Sequence, residues 1–372
     1  MNGAARPIAI DIFSGAGGMS LGFEQAGFDV PVAYDINPVN VATYARNFPE
    51  AESIEADVHK LTGDAILAKA AVRSVDVLFG GPPCQGFSVI GKRRADDPRN
   101  ELLLEFARLV DEVRPRYFVV ENVAGLTIGA ARKSLQKFLA RAKKAGYRCI
   151  DPVQILDASH FGVPQQRRRV FILGHRASFP APAYPVAQEG VSPTVWDAIG
   201  DLSLLDLHAA DDRGDCYEGP LGAPSTYASV LRGETDDLDD LSYARAASAT
   251  GLQGCARSVH SVVTIRRFAK TKPGHREHVS KFHRLDAAGI SYTIRAGTGP
   301  ENGSFMASRP IHPEYPRCIT VREAARLHSF PDWFQFDATK WHGFRQIGNS
   351  VPPLMAREVA KCIMAALNRR KR

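Results

Sequence analysis

Residues 9–28, AIDIFSGAGGMSLGFEQAGF, decide the fold. An apolar run reads as a strand, a helical pattern follows, and Gly15, Gly17 and Gly18 stand between them. Residues without side chains permit a tight turn and close approach of backbone to a ligand there. The spacing departs from Gly-x-Gly-x-x-Gly, because Ser20 holds the last position, and plain turn glycines would also account for it. Twenty residues after Gly15, at the end of the next strand, comes Asp35, where a carboxylate would bind ribose hydroxyls. Together the two imply an adenosine ligand.

Working outward, the chain up to about residue 180 alternates short apolar runs with helical patterns, as βαβ units do. Strands are expected at 8–13, 30–34, 75–79, 117–121, 148–156 and 169–174, and helices at 102–113 and 133–144. The expectation is an α/β fold with a doubly wound, mostly parallel sheet. FPAPAYPVAQEGVSP (179–193) reads as a linker, and the pattern from about 190 to 330 is irregular. After Pro352 and Pro353 an amphipathic helix runs through Leu354 to Leu367, and its apolar face needs a sheet to cover. The domains so drawn are 1–185 with 336–372, and a smaller inserted unit at 186–335.

Of 372 residues 44% are hydrophobic, enough to fill two cores, and Gly and Pro, 31 and 24 residues, stay far below low-complexity levels. No apolar run reaches the ~20 residues of a membrane span and no signal-peptide core opens the chain, so an intracellular, cytoplasmic location is expected. The six cysteines are widely separated and none has metal-ligand spacing, which argues against a disulfide framework or a zinc site. Lys and Arg outnumber Asp and Glu by 47 to 40, and the pI is near 9.1. The distribution says more than the total. Residues 197–240 hold twelve acids against Arg213 and Arg232, so this stretch should avoid phosphate. Residues 255–285 hold eight Lys or Arg against Glu277 alone, and read either as a solvated basic face or as a phosphate-contacting surface including Arg266 and Arg267.

Two further segments carry chemistry. VDVLFGGPPCQGFS (75–88) ends a strand in Gly80, Gly81, Pro82 and Pro83 and then presents Cys84 on a loop that continues as neither helix nor strand. A buried structural cysteine needs neither the prolines nor the flanking glycines. FVVENV (118–123) puts Glu121 and Asn122 at the carboxyl edge of an apolar sheet, where ligands bind in open α/β folds, although a helix cap would use the same residues.

With these residues in view the chain resembles the cytosine-5 DNA methyltransferases of bacterial type. DIFSGAGGMSLGF, GGPPCQGFS, ENV, FGVPQQRRRVFILG, PRCITVREAARLHSFPDW and FRQIGNSVPP resemble the first, fourth, sixth, eighth, ninth and tenth motifs of that family, in order. Only 186–290 lacks a match, the region in which family members differ in the target they read. The resemblance implies a Rossmann-like methyltransferase domain, a target-recognition domain, and S-adenosylmethionine as cofactor. It also implies double-stranded DNA as partner, a restriction endonuclease as genetic companion, and a monomer.

Carbon 5 of cytosine is too electron-poor to accept a methyl group directly, so a nucleophile must first add at carbon 6. Cys84 is the candidate. The resemblance gives Glu121 the contact with ring nitrogen 3 and the exocyclic amine, and gives Arg169 the base carbonyl. Gln165, Arg167 and Arg169 form Gln-x-Arg-x-Arg; alternation on a strand would point both arginines into the cleft, with Arg167 holding phosphate or the catalytic loop. For the cofactor it implies Phe13 near adenine or sulfonium, Gly15, Gly17 and Gly18 at the amino-acid end, and Asp35 on ribose. Asp57 on the adenine amine, with Asn349 and Ser350 closing the pocket, completes the set. The target base must leave the duplex, at about a few kcal/mol.

An RNA-acting relative would not need a variable region of this length, a catalytically silent regulator would have lost Cys84 or Glu121, and a nicotinamide dehydrogenase has no use for Pro-Pro-Cys-Gln.

Overall fold

The computed structural model describes residues 5–83, 101–129, 131–188, 190, 192–205, 215–245, 251–297 and 309–369. Cys84, the expected nucleophile, lies outside them.

Strands β1 (Ala9–Ile12), β2 (Val32–Asp35), β3 (Glu52–Glu55), β4 (Val77–Gly80) and β5 (Tyr117–Val123) are parallel neighbours in the order β3-β2-β1-β4-β5. On the β5 edge, β9 (Arg168–Arg176) runs antiparallel and carries β6 (Tyr147–Cys149) and β7 (Gln154–Asp157) on its far side. The result is a mixed, mostly parallel sheet of eight strands, as the alternating pattern predicts. The single strand expected over 148–156 is two strands. Pro152 has no N–H for the ladder and restricts the residue before it, so pairing with β9 lapses between Ile150, whose amide still donates to the Leu173 carbonyl, and Gln154.

Both faces of the sheet are covered at its centre, which is why β4 and the first four residues of β5 are continuously apolar. On one face Ile10, Ile12, Leu78, Phe118 and Val120 pack under the helices Leu102–Val113 and Ala131–Lys144. On the other, Ala9, Val77, Phe79 and Val119 pack under Gly18–Gln25 and the C-terminal helix Pro353–Arg369. The return of the carboxyl terminus onto the first sheet is therefore observed. Its close approach explains two glycines: a Cβ at Gly18 would lie 2.5 Å from the Val351 carbonyl, and one at Gly22 would lie 2.5 Å from the Ala356 Cβ.

A third core joins the start of the chain to its later part. Leu21, Tyr44 and Phe48 pack with Val195, Ile294, Val321, Phe330 and Phe344. The acidic stretch serves this union. Asp237 and Asp239 pair with Arg357 and Lys361 on the C-terminal helix, and the Leu241 amide donates to the Gln25 carbonyl at 2.9 Å. Arg245 grips Glu24 at 2.8 and 3.2 Å while its guanidinium lies about 5 Å from the rings of Phe48 and Trp333. Asp237 and Asp239 are thus matched by cations of the sheet domain. Among the described residues no helix is long and apolar enough to cross a membrane, and no cluster of His, Cys, Asp and Glu could hold a metal.

Candidate active site

In the order β3-β2-β1-β4-β5 the direction of winding reverses between β1 and β4, and loops leaving the carboxyl ends of such strands form a crevice. The two loops are residues 13–17 and the Gly81-Pro82-Pro83 segment that leads to Cys84. At their base Gly80 touches β1: a Cβ there would lie 1.8 Å from the Ile12 carbonyl oxygen, so only glycine fits.

The first loop turns through positive φ at Phe13 (69°), Gly15 (56°) and Gly17 (100°). Phe13 and Ser14 both donate their amides to the Tyr34 carbonyl. A Cβ at Gly17 would strike the Phe48 ring at 2.3 Å, whereas one at Gly15 would meet nothing within 4 Å, so the backbone at Gly15 borders open space. Ser20, the residue that breaks the glycine pattern, has a use of its own. Its hydroxyl donates to buried Asp11 at 2.6 Å and accepts from Tyr44 at 2.9 Å. Burial raises the Asp11 carboxyl to about 8, and its Oδ1 has no hydrogen-bond partner among the described residues. Sequence reasoning missed Asp11, because an acid in a strand looks like any other strand-end polar residue.

Asp35 accepts the Gly15 amide at 2.9 Å on Oδ2 and the Asn37 amide at 2.8 Å on Oδ1, with Asn40 Nδ2 at 3.2 Å on the same oxygen. It thereby ties the first loop to the next, and one lone pair of Oδ2 remains for a hydroxyl. Beside it lies a cavity of about 430 Å³ lined by Ile36, Glu55, Ala56, Asp57, Lys60 and Leu61. Asp57 caps the turn Val58–Lys60 through the His59 amide and borders this cavity. Ile36, 66% exposed at its rim, is an apolar wall that sequence reasoning missed; its signal was an isoleucine directly after a strand-ending acid. An open glycine backbone, an acid with a spare acceptor site and a half-apolar cavity suit the amino-acid, ribose and adenine parts of S-adenosylmethionine.

At the end of β5, Glu121 is 8% exposed, and a Cβ on Gly81 would lie 2.9 Å from its Oε2, so Gly81 makes room for the carboxyl group. Burial raises the Glu121 pKa; Arg169, at 2.9 Å through Nε, and then Arg167 pull against it. The Asn122 side chain donates to the Pro82 carbonyl at 3.1 Å, anchoring the chain two residues before Cys84. The helix-cap alternative for Glu121 and Asn122 does not describe these contacts.

Arg169 thus sits where alternation put it, but Arg167 does not reach the cleft. Its side chain is fully buried, with Nη1 donating to the Ile294 carbonyl at 3.0 Å and Nη2 to those of Gly348 and Ser350, each at 2.7 Å. The expectation that Arg167 points into the cleft to hold phosphate is therefore corrected, because Arg167 falls between the strands Gln165–Gln166 and Arg168–Arg176, where alternation no longer fixes its direction; the catalytic loop after Pro83, the other partner expected for it, lies outside the described residues. Gln165 is equally buried, its Nε2 donating to the Leu327 carbonyl and its Oε1 accepting the Ile294 amide. These bonds seat the short strand Ser291–Tyr292 parallel to β8 (Gln165–Gln166). Asn349 is exposed at the end of the helix Lys340–Asn349, and the Ser350 hydroxyl donates back to the Gln346 carbonyl at 2.7 Å, capping this helix rather than the next.

Within the basic block the helix Val262–Lys270 buries only Phe268. Arg266 is exposed, whereas Arg267 turns toward Glu277 at 3.8 Å.

A family model described as C-5 cytosine-specific DNA methylase matches residues 8–365. The chain is 48% identical over 98% of its length, and 86% of the other, to the Type II methyltransferase M.XorII of Xanthomonas oryzae pv. oryzae. To M.AgeI of Thalassovita gelatinovora it is 32% identical, over 96% of its length and 99% of the other. A solved structure described as a prophage-encoded DNA modification methyltransferase (E. coli) superposes with a TM-score of 0.80 at 33% identity, covering 97% of this chain and 99% of that one. The chain belongs to the C-5 cytosine-specific DNA methylases and is an enzyme that methylates cytosine in DNA.

Proposed function

We propose that the chain transfers a methyl group from S-adenosylmethionine to carbon 5 of a cytosine flipped out of a specific duplex sequence, through a covalent bond between Cys84 and carbon 6. The observation that carries this reading is the buried Glu121 carboxyl, held 2.9 Å from Arg169 beside the Pro82 that Asn122 anchors. Cys84, which follows Pro83 in the sequence, is the nucleophile in this reading.

In the reaction so read, the Cys84 thiolate adds to carbon 6 and the ring electrons move toward carbon 5 and nitrogen 3. Glu121, kept protonated to higher pH by burial, donates its proton at nitrogen 3, and Arg169 holds the base carbonyl. Bound S-adenosylmethionine supplies the methyl group. Gly15, Asp35 and Asp57 hold it, Phe13 and Ile36 flank it, Gly17 and Gly18 shape the turn, and Asn349 and Ser350 close over it. A base then removes the hydrogen on carbon 5, the cysteine leaves with its bonding electrons, and the proton on nitrogen 3 returns to Glu121.

Target reading belongs, in this account, to residues 186–335, with phosphates held by the basic block and base edges read between roughly 255 and 300. The Type II relatives favour a restriction endonuclease as genetic companion, and the chain is taken to act as a monomer beside the nucleoid. The test is expression of the chain alone in a host lacking cytosine methylation, followed by single-base mapping of modified cytosines. The expected product is 5-methylcytosine within one short motif; methylation at the exocyclic amine, or none, would contradict the reading.

A further inference from the structure

The guanidinium of Arg167 is fully buried and its described hydrogen bonds all end on backbone carbonyls, which belong to two distant segments: Ile294 on one, Gly348 and Ser350 on the other. Arginine keeps its proton, and a buried charge that loses its hydrogen bonds is costly, so the two segments cannot part without stranding this guanidinium. A second set of bonds repeats the connection. Gln165 Oε1 accepts the Ile294 amide at 3.1 Å, while its Nε2 donates to His328 Nδ1 at 3.0 Å. His328 must then carry its proton on Nε2, which lies 3.0 Å from the Ser350 carbonyl and donates to it. The backbones themselves touch: a Cβ at Gly348 would lie 2.2 Å from the Ala296 nitrogen.

What the lock buries alternates with what it leaves outside. Tyr292 and Arg295 are exposed on either side of buried Ile294, and Asn349 is exposed between buried Gly348 and Ser350. We infer that Arg167 and Gln165 are positioning residues that bind 291–296 and 348–350 into one rigid body, so that target DNA engaging the first segment sets the affinity of the second for the cofactor. The inference rests on the proposed reading in which the first segment faces DNA and the second faces S-adenosylmethionine. Reciprocity follows, since a coupling free energy between two sites acts equally in both directions.

Calorimetric titration of S-adenosylhomocysteine into the full chain, with and without a saturating unmethylated duplex carrying its target, tests this. In the wild type the duplex should tighten binding about 5-fold or more, and in Arg167→Lys, which keeps the charge but loses the planar fork, the factor should fall below about 2-fold while each ligand alone binds within about 3-fold of wild type. Gln165→Met should act in the same direction, and carries the test if Arg167→Lys does not fold as judged by circular dichroism. An unchanged factor in folded variants, no factor in the wild type, or an equal loss of affinity for each ligand alone would overturn the coupling. A wild-type chain that binds neither ligand would instead overturn the functional reading.

Discussion

Glu121 and Arg169 lie on neighbouring antiparallel strands with Oε1 and Nε 2.9 Å apart, and both are largely buried. Each governs the other's chemistry: burial favours the neutral carboxyl, and the guanidinium favours the carboxylate. Glu121→Gln keeps the shape and removes the proton, so kcat should fall roughly 10²-fold or more, the ordinary scale for a lost general acid. Steady-state methylation of a target duplex gives the number, and a kcat within a few-fold of wild type would move the acid elsewhere.

The same pair predicts a pH effect. If protonated Glu121 is the acid, kcat falls as pH rises through its raised pKa. Arg169→Gln removes the strongest influence that lowers that pKa, so the falling limb should move to higher pH, beneath a lower plateau. A pH–rate profile of both proteins decides; a limb that stays in place would separate Arg169 from the acid.

Asp11 gives a stability prediction of definite sign. Its carboxyl is raised from 3.8 to about 8 in the folded chain, so the folded state holds a proton that the unfolded state has released between those values. The contribution is complete below pH 3.8 and is lost as pH rises toward 8, at a slope approaching about 1.4 kcal/mol per pH unit at most. Asp11→Asn can keep the acceptor for Ser20 without that proton. Denaturant unfolding from pH 5 to 9 should therefore show the variant gaining on wild type as pH rises, and parallel curves would place the proton elsewhere.

Arg245 and Glu24 are a buried pair, 7% and 2% exposed at their side chains, that fastens the acidic stretch to the sheet domain. Arg245→Met leaves a buried carboxylate behind and should cost about 3 kcal/mol or more, whereas adding Glu24→Gln should recover part of that loss. Chemical denaturation of the two singles and the double supplies the cycle; strict additivity would mean that the pair does not act as one.

Arg266 and Arg267 should differ although they are adjacent. Exposed Arg266 is available to a phosphate, so Arg266→Glu should flatten the dependence of log K on log salt by about one unit for any duplex. Arg267 faces Glu277, so Arg267→Glu should lower the melting temperature as well. Equal, purely salt-dependent effects would show that both are simple phosphate contacts.

The parts of this molecule that were legible in the sequence are those set by local chemistry. Strand ends followed by glycine or proline gave away the loops at Gly15 and Gly81, and an acid after an apolar run gave away Asp35 and Glu121. What was hidden depends on segments far apart in the chain. Arg167 and Arg169 look alike on a strand, yet 348–350 and 294 cover one and not the other. Arg245 reaches Glu24 across 221 residues, and no periodicity encodes such a contact. Pro152, with no N–H for a ladder, marks the break in the strand expected over 148–156, but the apolar run around it masks that signal.

The central claim is the bond between Cys84 and carbon 6 of the target cytosine. Release of that bond needs removal of hydrogen from carbon 5, and fluorine there cannot leave as a cation. A duplex with 5-fluorocytosine at the target, incubated with the chain and S-adenosylmethionine, should therefore give a protein–DNA adduct that survives denaturing electrophoresis. Its peptide map should place the link on Cys84 within GGPPCQGFS, and no stable adduct should form without the methyl donor. Turnover of the fluorinated duplex without trapping, or a link through Cys149 or Cys318, would contradict the account.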